Sequence, residues 1–484
     1  MTSRSVLSAL LFAAAVPATG RTQSVANHPR VKEATAVLEK WIEATRAYTR
    51  YPGVSAAVVV DQEVIWQGGF GYADITKRTP ATATTLYSIC SISKLFTSVA
   101  LMQLRDLGKV RLDDPVAKHL SWFTIKNPRP DQEAVTVEGI LTHAAGLPRE
   151  AAYPYWSAPS FEFPTREQII NAVSSQEMLY RPETYFQYSN LGLTLAGEIV
   201  AVASGKSYGD QVQANVLNPL GLKDTYWDMP AQERGKRLAM GYSGWPREGA
   251  RREIPFFQAR GIAPAAGYAS TALDLAKFAS WQFRLLAKGG AEVLSANTLR
   301  EMQRVHFMDP AWETTWGLGF EVWRNDGRTF VGHGGSCPGY RTQLTMRPEE
   351  KIATITMVNA IDADAEGLAQ QAYNLLAPAI KAAQDTSSRA LPVADASLDK
   401  YLGTYAESFG GELEIIRWEG RLASIFLPTE NPARAITKYQ KVGEHTFKRI
   451  RKDGELAESI TFDIGPDGRA TTYRSSNNFM PRIR

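Results

Sequence analysis

The sequence predicts an α+β fold built around one antiparallel sheet and followed by a small all-β C-terminal domain. Three observations carry this. Strand patterns occur near residue 55 and again near residue 350, with helical patterning between and outside them. Neighbouring strands in each group are joined by short turns, as antiparallel pairing allows. Beyond about residue 397 the helical period gives way to short alternating segments.

Taken in order, the N-terminus comes first. Arg4 precedes the apolar run from Val6 to Val16, then Pro17 and the small residues Ala18-Thr19-Gly20. Charged start, short apolar stretch and small-residue end are the parts of a secretory signal peptide, so residues 1–20 are expected to direct export. The competing reading is a buried helix or an uncleaved anchor, for which the run is short. A periplasmic or secreted protein with no stable membrane insertion is the expectation. No cysteine precedes Cys90, which leaves no site for lipid attachment after the signal.

Residues 28–380 form the expected main domain. From Ala34, the positions Val37, Leu38, Trp41 and Ile42 recur at helical spacing. Gly53 to Val60 reads as a strand, Asp61-Gln62 as a turn, and a second strand runs through Ile65-Trp66. About 95 to 300 is mostly helical patterning broken by Pro- and Gly-bearing loops. Strands return at Thr342 to Met346 and Ile352 to Val358, and Leu368, Ala372, Leu375 and Leu376 mark a last helix. Residues 381–397 are small, polar and proline-bearing, as a linker would be. In residues 398–484, Glu419-Gly420 and Gly443-Glu444 resemble two-residue hairpin turns. Ile460, Phe462 and Ile464 alternate before the turn at Pro466-Asp467-Gly468.

Composition removes several classes of function. The chain of 484 residues is 44% hydrophobic and 21% charged, ordinary for a globular protein. Its net charge of +4 is spread along the chain, with no basic cluster interleaved with aromatics, so nucleic acid is not an expected partner. The six histidines are scattered without metal-ligand spacing, so neither a metal nor a cofactor is expected. Two cysteines, Cys90 and Cys337, do not make a disulfide scaffold.

Chemistry enters at LYSICSISKLF, residues 86 to 96. Read as a strand end running into a helix, it stacks Ser91 and Lys94 on one face, three residues apart. Ser88 lies before the helix, Ser93 points to another side, and the amide of Ser98 is tied up inside the helix. Ser91 alone combines a neighbouring amine with an unpaired N-terminal amide. An acyl-transfer nucleophile needs such a base and such a donor for the developing oxyanion. Two further stretches add candidates. Tyr188 and Asn190 in YFQYSNLGLTL sit two apart before a helix at Leu191 to Ala203, offering a phenol and an amide to one pocket. The alternatives are a core aromatic and a helix cap. In VGHGGSCPGYR, glycines beside His333 let a backbone edge approach a ligand closely, or make a tight turn.

Together, S-x-x-K, Y-x-N and H-x-G in this order resemble the serine β-lactamase and penicillin-binding protein superfamily. The class C-like branch with D-aminopeptidases, D-alanyl-D-alanine carboxypeptidases and esterases is the nearest match, over about residues 30 to 380. Flanking segments at 108–115, 141–147, 265–274 and 316–319 extend the resemblance. It implies a sheet flanked by helices plus a helical subdomain, with Ser91 acylated and Lys94 and Tyr188 sharing the proton transfers. Which of the two is the acylation base stays open. Asn190 would hold Lys94 and the substrate amide, and the amides of Ser91 and Ser336 would form the oxyanion hole. His333 would line the pocket with Gly335 beside it. β-Lactamases of this superfamily usually carry Lys-Thr-Gly where this chain has His-Gly-Gly, and an ordinary imidazole is only partly charged near neutrality. Some class A carbapenemases join the places of Cys90 and Cys337 by a disulfide, so the resemblance implies that pairing here. The expected function is an exported serine hydrolase acting on small esters, D-peptides or β-lactam-like substrates. A β-lactamase is one alternative; a non-catalytic penicillin- or cell-wall-binding protein is another.

Overall fold

The computed structural model describes residues 24–129, 131, 133–153, 155–385, 395–407 and 410–484. The expected signal peptide and most of the expected linker lie outside them. Helix α1 (Pro29–Thr49) starts where Pro29 supplies a preset φ and the His28 ring accepts from Arg30 N, and it stops at Arg50, φ +57°. Its buried stripe is Val31, Ala34, Val37, Leu38, Trp41 and Ile42, the spacing that the sequence showed.

Strands β1 (Gly53–Val60) and β2 (Glu63–Asp74) follow, and four more complete the body of the sheet. These are β3 (Glu321–Asn325), β4 (Arg328–Cys337), β5 (Tyr340–Arg347) and β6 (Ile352–Val358). The order β2-β1-β6-β5-β4-β3 is extended by one short strand outside β2 and two beyond β3, making nine in all. The core pairings are antiparallel. The glycine-rich run around His333 is thus neither a loop nor a tight turn: β4 pairs with β3 as far as Gly332 and with β5 as far as Cys337, and the chain reverses only at Pro338-Gly339.

Alternation sorts the sheet into two faces. Ala57, Val59, Leu344, Ile355 and Met357 face a core shared with helices α2 (Ser93–Asp106), α3 (Asn190–Ser204) and α4 (Ala272–Lys288). Val54, Ala56, Val58 and Val60 face the other way, onto α1 and α5 (Ala365–Gln384). Helix α5 trims the expected linker, because Lys381 to Gln384 continue it with good helix formers. At the far end Ser397 already belongs to a 3-10 turn, Ala396–Tyr401, started by the Asp395 carboxylate.

The C-terminal unit is an eight-stranded antiparallel sheet that nearly closes on itself. Its first and last strands meet where Thr404 N donates to Arg484 O (2.9 Å) and Ile483 N donates to Thr404 O (2.8 Å). Tyr401, Tyr405, Phe447 and Phe462 fill the interior. Glu419-Gly420 is a two-residue turn with φ of +56° and +71°, as the primed hairpin types demand. Gly443-Glu444 is not: Val442 N and Gly443 N both donate to Thr446 O, which lengthens the connection to residues 442–445. This unit docks on α1, on the sheet face opposite Ser91. Among the described residues no helix is long and apolar enough to cross a membrane.

Candidate active site

A short strand, Tyr87–Ser88, pairs with Ala269–Ser270 and delivers the chain to a turn in which Cys90 has φ +50°. A left-handed turn at a residue with a side chain costs about 1–3 kcal/mol. It is clamped from both ends. Ile89 N donates to Tyr268 O at 2.8 Å, while Ser93 Oγ donates to Cys90 O and accepts from Tyr268 N at 3.0 Å. Ser91 then lies in the 3-10 turn Cys90–Ile92 that leads into α2.

Lys94, one turn on, is fully buried. Its Nζ lies 3.1 Å from Ser91 Oγ, 2.7 Å from Asn190 Oδ1 and 2.8 Å from Ala265 O. Burial pulls its pKa well below the usual 10.5; the Glu150 carboxylate opposes that shift and the Arg149 charge adds to it. Asn190 reaches Lys94 because it is not the helix cap. Ser189 caps α3 by accepting from Gly192 N (2.9 Å), and the helix begins at Asn190, one residue before the expected start. Asn190 Nδ2 donates to Glu150 Oε1 at 2.6 Å, and the Tyr155 hydroxyl donates to Glu150 Oε2.

The Tyr188 phenol faces the Ser91 hydroxyl. Its phenol is pushed up by burial, against the pull of Ser91 and Arg149. Lys94 Nζ sits 4.8 Å and Arg149 Cζ 4.9 Å from its ring centroid. His333 comes from β4 on the face of Leu344, with its ring 6.3 Å from that of Tyr188 and Nδ1 2.6 Å from Gly334 O. Burial, and then the nearby Lys94, push its pKa down to about 3. The expectation of a partly charged imidazole is therefore corrected: this histidine is neutral near pH 7.

The third-motif strand lies against the nucleophile's turn. Thr342 Oγ1 donates to Ile89 O at 3.2 Å, and a Cβ on Gly335 would fall 2.3 Å from that same carbonyl oxygen. Ser336 follows at the strand end, its Oγ accepting from Arg341. Cys90 and Cys337 are disulfide-bonded with Cα atoms 5.7 Å apart, tying the turn before Ser91 to the residue after Ser336.

Several residues of the site carried no role in the sequence reading. His143 stacks 4.3 Å from the Tyr188 ring and accepts from Ser189 N (3.1 Å) through Nδ1; Trp316 lies 5.0 Å from His143 and 5.5 Å from His333. Both sit in flanking segments that the motif comparison covered, which was the available signal. Nε2 of His143, Nε2 of His333 and Nε1 of Trp316 are buried without partners among the described residues. Arg149 and Glu150 follow the segment 141–147 with no local pattern to announce them. In the aromatic stretch at 153–156, Tyr155 is buried and serves Glu150; Pro154 lies outside the described residues.

Known proteins resemble this chain in sequence and in fold. A beta-lactamase-like protein of Homo sapiens is 29% identical over 378 residues, spanning 73% of this chain and 70% of that one. The chain spans 58 to 70% of the lengths of the first three relatives it matches. The octameric penicillin-binding protein homologue from Pyrococcus abyssi superposes with a TM-score of 0.63 at 27% identity, covering 93% of this chain and 98% of that one. The D-amino acid amidase from Ochrobactrum anthropi SV3 gives 0.59 at 25% identity, over 72% of this chain and 98% of its own. The family model described as Beta-lactamase matches residues 38–377, a span holding every residue of the cluster around Ser91. The chain belongs to the beta-lactamase family.

Proposed function

We propose that this protein is an exported serine hydrolase that cleaves esters or D-amino-acid amides and peptides through an acyl-enzyme on Ser91. One observation carries the reading. Lys94 Nζ has two carbonyl-type acceptors, Asn190 Oδ1 and Ala265 O, and one hydroxyl neighbour, Ser91 Oγ. A neutral amine has two hydrogens and one lone pair, so the two acceptors take the hydrogens and the lone pair faces the Ser91 proton. Burial favours the neutral state. Lys94 accepts the proton as Ser91 Oγ attacks the carbonyl carbon, and the amides of Ser91 and Ser336 meet the oxyanion. Tyr188, whose phenol faces Ser91, relays the proton to the leaving group and later activates water.

The likeness to the D-amino acid amidase supports amides of D-residues as substrates. The uncharged His333 argues against efficient β-lactam hydrolysis, since the third motif lacks the ammonium that would hold the drug's carboxylate. Export to the periplasm or medium rests on the charged start, apolar run and small residues of positions 1–20. The test is the intact mass of protein recovered from outside the cytoplasm, before and after incubation with a penicillin, beside Ser91→Ala. The reading expects a mass short of the first 20 or so residues and a persistent drug adduct lost in the variant, with p-nitrophenyl acetate and D-phenylalanine amide turned over only by the parent. Turnover of either substrate by Ser91→Ala would sink it.

A further inference from the structure

Among the described residues Arg149 is the one catalytic-site cation free to bind a ligand, and we infer that it anchors a carboxylate carried by the substrate. This rests on the proposed Ser91 chemistry for its location and adds the substrate's charge. The guanidinium lies over the Tyr188 ring, 4.9 Å from its centroid, and Lys94 Nζ, which contacts Ser91 Oγ, lies 4.8 Å from the same centroid. Its backbone is fixed, because Leu191 N donates to Arg149 O at 3.1 Å at the start of α3. Its side chain is 60% exposed and makes a single ion-pair contact, Nε to Glu150 Oε1 at 3.4 Å. No hydrogen bond from Nη1 or Nη2 to any described residue is formed. The outer edge of the fork, two parallel N–H donors, is thus open, and that edge matches a carboxylate bidentately.

The other positive groups around the site are already committed or uncharged. Lys94 is buried, held on three sides and drawn towards neutrality. Burial keeps both His143 and His333 neutral. Arg341 donates to Ser336 Oγ, and the β5–β6 register sets it opposite Val358, on the sheet face away from His333. Glu150 does not disqualify Arg149 as an anion site. Its Oε1 is taken up by Asn190 Nδ2 and Arg149 Nε, and its Oε2 by the Tyr155 hydroxyl, so its charge is spread inward over donors.

The test is calorimetric binding of N-acetyl-D-alanine and of its carboxamide to the full chain carrying Ser91→Ala, and to that chain with Arg149→Gln or Arg149→Lys added. Hydrolysis of p-nitrophenyl acetate by the parent is measured in parallel. The carboxylate should bind at least tenfold more tightly than the carboxamide. Arg149→Gln should erase that preference, and Arg149→Lys, a point charge without the fork, should restore part of it. Equal binding of the two ligands, or a preference that survives Arg149→Gln in a protein with unchanged melting temperature, overturns the assignment. Absence of ester turnover in the parent counts against the hydrolase reading alone, since binding is read without chemistry.

Discussion

At the scale of the residue, the protonation state of Lys94 decides what Ser91 can do. An ammonium at that position would spend all its hydrogens and offer no lone pair. Lys94→Arg keeps the positive charge but cannot deprotonate near neutrality. It is expected to lower kcat/KM for p-nitrophenyl acetate by about 10²- to 10⁴-fold, the range for loss of a general base; near-parent activity would mean that only the charge matters. The pH profile carries the same sign. Because burial holds the folded lysine's pKa well below 10.5, activity should persist below the ordinary lysine range and be lost as falling pH protonates the amine. His333, at about 3, does not titrate in that window, so the acidic limb should persist in His333→Gln. A limb that vanishes with the imidazole would reassign it. Ser91, Lys94, Tyr188, Asn190 and His333 were legible in the sequence because each shares a short segment with a partner or a glycine. Arg149, Glu150 and His143 were not, because a loop between short helices brings them in only after folding.

At the scale of the element, the site depends on how closely β4 lies against the turn that carries Ser91. Gly335 makes that approach possible: an added Cβ would lie 2.3 Å from Ile89 O and 2.2 Å from Thr342 Oγ1, both held in place by the Thr342–Ile89 hydrogen bond. Neither atom is the free end of a flexible side chain, so Gly335→Ala must push the strand away from the turn. Overpacking of this kind costs about 1–3 kcal/mol. The loss of activity should exceed what that destabilisation explains, because the shifted strand carries the Ser336 amide. Melting and single-turnover acylation measured side by side check this, and acylation at the parent rate would show that the amide has not moved. The sequence allowed a glycine-rich approach here but not a regular strand paired with β5 through Cys337. Composition hid it: Gly332, Gly334 and Gly335 remove the β-branched signal by which strands are read. The strands with that signal, β1 and β6, were found within a residue of their ends.

At the scale of the whole molecule, the position of the C-terminal barrel follows from the two faces of the sheet. The apolar set on the α1 and α5 side continues without a break into Ile416, Ala423, Ile425 and Leu427 of the barrel. Polar contacts fix the same junction. Trp41 Nε1 donates to Thr429 O at 2.8 Å, Glu33 accepts from Glu419 N and Gly420 N at 2.7 and 3.2 Å, and Arg30 pairs with Glu419 at 2.9 Å. Residues 381–397 read as a linker between two units, and one apolar cluster packs the second unit against the first, a contact that only tertiary packing could reveal. Trp41, 3% exposed, is one of the two buried tryptophans of that cluster, and Trp→Ala changes in cores cost about 3–5 kcal/mol. Trp41→Ala should therefore lower a single melting transition that reports barrel and main domain together. Because Trp41 lies on the face opposite Lys94, activity per folded molecule in the cold should stay near the parent's. Calorimetry paired with ester hydrolysis during the melt decides the matter. Two separated transitions, with activity following only the second, would mean that the barrel is an independent appendage rather than part of the body that holds α1 against the sheet.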